Sequence, residues 1–264
     1  MLYLGIPVLL MATIFALRFN FWRPNLTGLP ILMYHMISDD VSETHLPKLR
    51  VSEKRFRSQM SCLASYGYQT ITLSEWLDYR CGKRKIPTKA IVITFDDGYK
   101  NFYTTAWPVL NQYGFSAVVF LVTNCIGGTN LWDRRKGEPE EPLLSEKEIK
   151  ELAQQGVEFG SHSHYHEDLT MVSEPELHKD LTLSKRILGE ILGKDIISFS
   201  YPFGKHNSLV RKIVDRVGFK MACTTHPGKN SKAADPLQLR RIIVKRKDTL
   251  LDFRLKLKKG KSRI

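Results

Sequence analysis

Apolar segments of the kind that form buried strands alternate with amphipathic helical segments along most of this chain of 264 residues. Runs rich in β-branched residues and bounded by Gly indicate strands covered on both faces, and regular strand–helix alternation indicates a mainly parallel sheet. The predicted strands are residues 31–35, 69–73, 90–96, 116–122, 157–161, 196–201, 219–224 and 239–245. The predicted helices are residues 53–66, 101–113, 145–155, 174–192 and 208–217. We therefore expect an α/β protein whose sheet closes into a barrel.

The strand at residues 90–96 ends in two adjacent carboxylates, Asp96 and Asp97, followed by Gly98. Catalytic groups of α/β barrels gather at the carboxyl ends of the strands, where these side chains are expected. Adjacent residues of a strand point to opposite faces, so the pair suits a division of labour in which one carboxylate binds a metal and the other acts as a base. Asp-Asp-Gly after a strand is also an ordinary turn, and the pair alone does not separate the two interpretations.

Three histidines, His162, His164 and His166, follow the strand predicted at residues 157–161. The spacing of His162 and His166 would place both imidazoles on one face of a helical turn, an arrangement typical of metal ligands. We expect His164 to point elsewhere. A solvated, His-rich loop is the alternative, although ligand-type side chains rarely crowd the end of one strand for packing reasons.

A third predicted strand, residues 196–201, ends in a Tyr-Pro-Phe-Gly turn at residues 201–204. With this turn, Thr-Phe-Asp-Asp-Gly at residues 94–98 and His162-Ser163-x-x-His166, the chain resembles the polysaccharide deacetylases that share the NodB homology domain, carbohydrate esterase family 4. The three motifs stand in the family's order, and the resemblance covers residues 30–245 of the sequence. It implies a distorted, incomplete (β/α) barrel with the active site at the carboxyl ends of the strands.

The resemblance also implies an amide hydrolase that uses one divalent metal ion. Asp97, His162 and His166 match the family's metal ligands. Zinc is the default ion, and cobalt, nickel and iron also suit carboxylate and imidazole ligands. By the same resemblance, Asp96 is the general base that takes a proton from water, and the backbone N–H of Phe203 helps to bind the oxyanion.

Two departures from the family's pattern concern the proton donor and the base. The Leu-x-Leu-His motif that supplies the general acid in many relatives has no match in this sequence. His35, at the end of the first strand, is the candidate for the general acid, and His226 is the competitor; a structural strand cap is the alternative for both. Ser200 stands where the commonest pattern has the Arg that holds the base, and Arg241 is the predicted substitute.

Aromatic residues and a rigid turn predict a sugar-binding surface. Tyr201, Phe203 and Trp132 are the predicted sugar-facing aromatics, and Trp132 belongs to a long loop expected on the catalytic side. Pro202 and Gly204, in the same turn as Phe203, are also predicted to bind the substrate. The preferred function is metal-dependent removal of N-acetyl groups from amino-sugar residues of a polysaccharide or envelope glycan. The alternatives are an O-acetyl esterase or non-sugar amide hydrolase on the same scaffold, and a non-catalytic carbohydrate-binding barrel. A base beside the ligands disfavours the binding barrel.

The amino-terminal residues 1–17 carry no charged side chain and are rich in Leu, Ile, Val and Phe. Crossing a bilayer takes about 17–25 residues, so this run lies at the lower limit. No basic residue precedes it, so we expect a membrane anchor or uncleaved signal over residues 1–23 and a membrane-associated protein of the cell envelope. Arg18 and Arg23 favour a cytoplasmic side for the residues that follow, whereas an envelope substrate favours the opposite side.

The net charge of +13 is concentrated near the carboxyl end of the chain. Residues 240–264 contain eleven Lys or Arg and two Asp, a net charge of +9, whereas residues 31–239 together carry only +2. A nearly neutral body is a poor nucleic-acid groove, so no nucleic-acid partner is expected. Residues 246–264 are interpreted as a basic tail that contacts anionic lipid head groups or is merely solvated.

Overall fold

Strands and helices alternate through the computed structural model, which describes residues 23–261 together with residues 11, 13 and 16. The strands are β1 (Ile31–Tyr34), β2 (Met36–Ile37), β3 (Arg50–Val51), β4 (Gln69–Thr70), β5 (Ala90–Phe95), β6 (Val118–Leu121), β7 (Glu158–Ser161), β8 (Ser198–Ser200), β9 (Met221–Pro227) and β10 (Leu239–Ile243). The α-helices are α1 (Glu53–Ser65), α2 (Leu73–Arg80), α3 (Trp107–Gln112), α4 (Glu146–Gln154), α5 (Glu174–Leu192), α6 (Ser208–Val217) and α7 (Leu250–Lys259). A π-helical turn, Phe102–Ala106, precedes α3.

The predicted anchor over residues 1–23 lies outside the described residues except at Met11, Thr13, Ala16 and Arg23. Among the helices of the part that the structure describes, none combines the length and the apolar character needed to cross a bilayer. The membrane anchor therefore stays a prediction.

Seven parallel strands close into a barrel. The ring runs from β5 through β6, β7, β8, β9 and β10 to β1, and β1 pairs again with β5. Leu32 shows the closure, because it is aligned with Ile242 of β10 on one side and with Ile93 of β5 on the other. The short β4 pairs with the first residues of β5, and β2 and β3 form a separate parallel pair. The predicted α/β barrel is confirmed, with seven strands in the ring.

Alternate residues of the strands divide the apolar core into two layers. The inner layer, inside the barrel, includes Ile31, Val92, Val118, Met221 and Leu239. The outer layer, beneath the helices, includes Leu32, Ile93, Val119, Phe199 and Ile242. All six residues of β5 are buried, because a strand of a parallel barrel is covered on both faces.

Helix α2 begins where a strand was predicted to continue. We expected a strand over residues 69–73, but β4 ends at Thr70. Thr72 accepts the backbone N–H of Glu75, and the Glu75 side chain accepts the backbone N–H of Thr72, which forms a capping box that starts α2. Helix α4 also starts with a capping box, formed by Ser145 and Glu148.

Most of the predicted basic tail is part of the fold. Phe253 and Leu257 of α7 are buried in the outer layer. The Nζ of Lys256 donates to Oδ2 of Asp248 at 2.5 Å and to the Ile243 carbonyl at 2.7 Å. A buried ammonium needs such partners, because losing its hydration is costly. Residues 250–259 are therefore a packed helix, which the sequence analysis did not predict.

Candidate active site

The two adjacent carboxylates separate in a turn at the end of β5. Asp97 has a φ of 75° and Gly98 a φ of 78°, both in the left-handed region. A Cβ at Gly98 would lie 2.6 Å from the side chain of Leu121, so glycine suits this position for its space as well as its backbone. A left-handed residue other than glycine costs roughly 1–3 kcal/mol, and such residues cluster at functional sites.

The histidine motif at residues 162–166 forms a tight turn after β7 and not the predicted helical turn. Ser163 and His166 both have left-handed backbones, with φ of 68° and 57°. The Ser163 Oγ accepts the backbone N–H of His166 at 2.9 Å. This turn brings the rings of His162 and His166 to a centroid distance of 4.9 Å. The two imidazoles converge as predicted, but a left-handed turn and not a helix brings them together.

Buried polar groups hold this turn from outside the site. Asp180 of α5 accepts the backbone N–H groups of His164 at 2.9 Å and Tyr165 at 3.1 Å. Burial raises the pKa of Asp180 to about 6. The His164 side chain points away from the site, as predicted, and its Nδ1 shares a 2.8 Å hydrogen bond with Thr123. Sequence reasoning missed Asp180, although an acid on the apolar face of a helix was a signal that could have found it.

Asp97, His162 and His166 each bring one ligand atom into a cluster whose members lie within 4.8 Å of one another. The Oδ1 of Asp97 lies 3.4 Å from Nε2 of His162 and 3.3 Å from Nε2 of His166. The Ser200 carbonyl accepts the Nδ1 proton of His162 at 2.7 Å. This hydrogen bond fixes the tautomer and leaves the Nε2 lone pair of His162 facing the cluster.

This set of atoms fits a divalent metal ion. The Oδ1 of Asp97 is buried and has no hydrogen-bond partner among the described residues, which is costly unless a cation takes that place. Burial raises the pKa of Asp97, but its contacts with the two histidines lower it more, so the net pKa lies well below its usual range. Burial lowers the pKa of His166, which favours the neutral ring that ligation requires. In His162 burial lowers the pKa, but the hydrogen bond to Asp97 and the charges of Asp96 and Asp97 together raise it more, so a metal would displace a proton there.

Asp96, the predicted base, is held by Arg241. Nη1 and Nη2 of the guanidinium donate to Oδ1 and Oδ2 of Asp96, each at 2.7 Å, in a bidentate pair. Burial raises the pKa of Asp96, but the charge and hydrogen bonds of Arg241 together with the charge of His162 lower it more, so the net pKa lies below its ordinary value. Ser200, where the commonest family pattern has Arg, accepts a hydrogen bond from Arg241 at 3.0 Å. The predicted contact between Arg241 and Asp96 is present.

Aromatic rings cover two sides of His166. The ring centroid of Trp132 lies 4.8 Å away and that of Phe203 lies 4.7 Å away. Phe203 has a φ of 58° and is 45% exposed, so its ring is available at the rim of the site. Gly204 follows it in a tight turn, where a Cβ would lie 2.0 Å from the Thr225 hydroxyl.

The loop of residues 124–142 brings Trp132 to the site. Nη1 of the buried Arg50 contacts Oε1 of Glu141 at 2.5 Å. Asn130 accepts the backbone N–H of Glu141 at 2.7 Å. These contacts anchor the loop on the catalytic side of the barrel, where its length led us to expect it.

A cavity of about 530 Å³ opens over the ligand cluster. The predicted residues in its wall are His35, Asp96, Asp97, Trp132, His162, His166, Phe203 and Gly204. The wall residues that sequence reasoning missed include Leu46, Lys48, Leu49, Asp133 and Lys245. His35 is half-buried, whereas His226 is exposed, lies outside this wall and packs its ring 5.8 Å from that of His206. Of the two histidines predicted as candidates for the proton donor, His35 lies in the wall of this cavity and His226 does not.

Tyr201 and Pro202 do not face this cavity, so their predicted contact with sugar is corrected. The Tyr201 ring is fully buried, stacks on His206 at 4.7 Å and donates its hydroxyl proton to the Leu237 carbonyl at 2.9 Å. Pro202 is buried too. Tyr201 continues the alternation of β8 and joins the outer layer beside Phe199, which directs its side chain away from the barrel interior.

Residues 83–222 match the protein-family model described as polysaccharide deacetylase. The chain belongs to the polysaccharide deacetylase family. Its members are hydrolases that act on amides. The matched region contains Asp96, Asp97, His162 and His166, whereas His35 and Arg241 lie outside it.

Two curated relatives agree with this assignment. YxkH of Bacillus subtilis, named as a polysaccharide deacetylase, is 33% identical to this chain over 216 residues. The match covers 82% of this chain and 71% of YxkH. The poly-β-1,6-N-acetyl-D-glucosamine N-deacetylase of Staphylococcus aureus is 29% identical over 188 residues, 68% of this chain and 62% of its own length. The match therefore spans less than two thirds of the staphylococcal enzyme.

Two solved structures share the fold. The Streptococcus pyogenes deacetylase PplD, in complex with acetate, superposes with a TM-score of 0.73 at 28% identity, covering 84% of this chain and 94% of that chain. The polysaccharide deacetylase BC0361 of Bacillus cereus superposes with a TM-score of 0.74 at 28% identity, covering 88% of this chain and 69% of that chain.

Proposed function

We propose that this chain is a metal-dependent hydrolase that removes N-acetyl groups from amino-sugar residues of a polysaccharide or envelope glycan. The observation that carries the proposal is the cluster of Asp97, His162 and His166 beside a separately held base, Asp96, in the wall of one cavity. A binding site for metal or sugar alone needs no second carboxylate fixed in this way. Amide hydrolysis needs one, because the attacking water must lose a proton.

The two carboxylates take different roles. A divalent metal ion, zinc by default, held by Asp97, His162 and His166 would supply a Lewis acid for the acetyl carbonyl oxygen. Asp96 is kept ionised and oriented by Arg241, and it takes the proton of the attacking water as the new C–O bond forms.

The leaving amine needs a proton when the C–N bond breaks. His35 lies in the cavity wall and supplies this proton, so that the products are acetate and a free amino sugar. The backbone N–H of Phe203 is the proposed donor to the oxyanion, as the family resemblance implies. The rings of Trp132 and Phe203 offer apolar faces for the sugar.

The relatives support N-acetylglucosamine polymers as the substrate class. The staphylococcal relative is named for deacetylation of poly-β-1,6-N-acetyl-D-glucosamine. The PplD structure was solved with acetate, the acid that such a reaction releases. We infer that β-1,6-linked N-acetylglucosamine oligomers are the first substrates to test.

Acetate release from a panel of substrates tests this function. The panel contains β-1,6-linked N-acetylglucosamine oligomers, chitin oligomers, peptidoglycan fragments and O-acetyl esters, each with zinc-loaded protein and with Asp97→Ala as the inactive control. We expect equal amounts of acetate and new amine from an amino-sugar oligomer. Acetate from the esters alone would identify an O-acetyl esterase, and glycan binding without acetate release would identify a carbohydrate-binding barrel.

A further inference from the structure

A second cavity, of about 490 Å³, is lined by cations. Arg23, Arg240, Lys259 and Lys261 contribute to its wall, and the described residues that line it include no carboxylate. We call this cavity the basal pocket. Its remaining lining residues are Pro24, Leu26, Pro227 and Gly260.

The basal pocket lies toward the amino ends of the barrel strands. Arg240 is the second residue of β10, and Pro24 and Leu26 precede β1, so these lining residues belong to the amino ends of two neighbouring strands. The backbone N–H of Leu26 donates to the Lys258 carbonyl at 2.8 Å, and Leu29, just before β1, forms a bridge with Asn230. The catalytic cavity lies at the carboxyl ends of the strands, so the two cavities lie toward opposite ends of the barrel.

Three cations of the basal pocket have no carboxylate partner. Among the ion pairs of residues 23–261, none includes Arg23, Arg240 or Lys261. The guanidinium of Arg240 donates to the Pro227 carbonyl at 3.3 Å. The negative end of the α7 dipole favours Lys259, in its last turn, but it does not account for Arg23 and Arg240, which come from other segments. These cations are therefore available to an anionic partner.

The sequence before Arg23 indicates which kind of anion the basal pocket binds. Residues 1–17 have no charged side chain and consist largely of apolar residues, and Arg23, six positions later in the sequence, lines the basal pocket. An apolar segment joined to a basic surface is the combination that holds proteins on anionic bilayers, because each signal alone binds weakly. Residues 31–239 carry a net charge of only +2, so the positive charge is confined and does not form a track for a long polyanion.

We propose that the basal pocket binds the phosphate head groups of an anionic bilayer. The barrel then rests on the membrane by its amino end, and the catalytic opening faces away from the lipid. In this orientation the cavity reaches glycan strands that extend beyond the head-group layer.

Vesicle sedimentation of the full chain tests the basal pocket. Binding is compared between phosphatidylcholine vesicles and vesicles that also contain phosphatidylglycerol, and phosphatidylcholine alone reports the contribution of the apolar segment. The test variant is Arg23→Gln with Arg240→Gln and Lys261→Gln. The control is Lys54→Gln with Lys212→Gln and Lys247→Gln, which removes the same charge from exposed positions outside the pocket. Thermal unfolding of both variants shows that the fold is kept.

We expect the phosphatidylglycerol-dependent part of binding to fall about fivefold per cation removed, roughly a hundredfold for the test variant, and to change little in the control. Equal losses in both variants, or no dependence on phosphatidylglycerol, would overturn the proposal. Inorganic phosphate is added to distinguish a discrete phosphate site from a lipid surface. Binding of inorganic phosphate by the wild type, lost in the test variant, without any phosphatidylglycerol-dependent sedimentation would overturn the lipid assignment.

Discussion

Two buried ion pairs, Arg241–Asp96 and Lys256–Asp248, use cations from the same basic carboxyl-terminal region but have different surroundings. Arg241 contacts both oxygens of Asp96 at 2.7 Å, and Asp96 lines the catalytic cavity. Lys256 contacts one oxygen of Asp248 at 2.5 Å, and this pair lies outside the wall of that cavity. Oδ2 of Asp248 also accepts the backbone N–H of Lys245 at 2.7 Å.

The comparison shows that burial and pairing do not by themselves mark a catalytic group. Both pairs are buried and hydrogen-bonded, as charges inside a protein must be. Only Asp96 borders a cavity and stands next to a carboxylate oxygen, Oδ1 of Asp97, that has no hydrogen-bond partner among the described residues. A neighbouring cavity and a carboxylate oxygen without a hydrogen-bond partner therefore distinguish the Arg241–Asp96 pair from the Lys256–Asp248 pair.

The largest effect is expected from removing the ligands next to the Arg241–Asp96 pair. His162→Ala with His166→Ala leaves Asp97 as the sole predicted ligand, so the metal and acetate release should both be lost. Metal analysis of the purified protein and an acetate assay measure these losses. The matched control is His226→Ala, because His226 lies outside the cavity. This variant should keep about one metal ion per chain. Full metal occupancy in the double variant would show that the ligand assignment is wrong.

Replacing the cation of each buried ion pair should distinguish the role of the Arg241–Asp96 pair from that of the Lys256–Asp248 pair. Arg241→Met and Lys256→Met each leave a buried carboxylate without its cation, so both should lower the free energy of unfolding by about 3–5 kcal/mol. Only Arg241→Met should also lower turnover per folded molecule, because only Asp96 is the proposed base. Denaturant unfolding and kcat, corrected for the folded fraction, measure the two effects. A similar loss of kcat in Lys256→Met would remove the distinction between the pairs.

A smaller effect on the same cavity is expected from His35. His35→Ala removes the proposed proton donor, so kcat should fall by about a hundredfold, the lower part of the range for acid–base groups. His226→Ala should change kcat by less than about threefold, because its ring lies outside the cavity wall. The loss of kcat in His35→Ala relative to the wild type should be smaller for acetyl esters, because their leaving alcohol needs less help from an acid. The reverse ranking of the two variants would assign the proton donor to His226.

The barrel and the ligand set could be predicted from sequence because both depend on local signals that parallel topology combines. Apolar runs such as residues 90–95 indicate strands covered on both faces, and the carboxyl ends of parallel strands meet at one end of a barrel. Asp97, His162 and His166 follow such strands, so their convergence needed no knowledge of distant contacts. The choice of Asp97 and not Asp96 as the ligand came from the family resemblance.

Other features depended on contacts that the local pattern does not contain. Helix α7 has apolar residues at alternate positions, Leu251, Phe253, Leu255 and Leu257, a period more typical of a strand than a helix. Its burial relies on the pair between Lys256 and Asp248. The left-handed turn at the histidine motif likewise depends on Ser163 and on Asp180 of a later helix.

Tyr201 shows a different limit of sequence reasoning. A motif identifies a region of the chain, but the side-chain direction within it follows the register of the strand. Tyr201 and Phe199 share the outer layer, whereas Phe203, within the turn, lies at the cavity. Position within a functional motif therefore did not predict contact with the cavity.

The central claim is that Asp96 acts as a base separate from the metal ligands. The most direct measurement is metal content and acetate release for zinc-loaded Asp96→Asn, assayed under conditions where it is folded. We predict close to one metal ion per chain, as in the wild type, and a kcat lower by about 10²–10⁴-fold, because the amide cannot accept the proton of water. Wild-type turnover in this metal-loaded variant would contradict the claim.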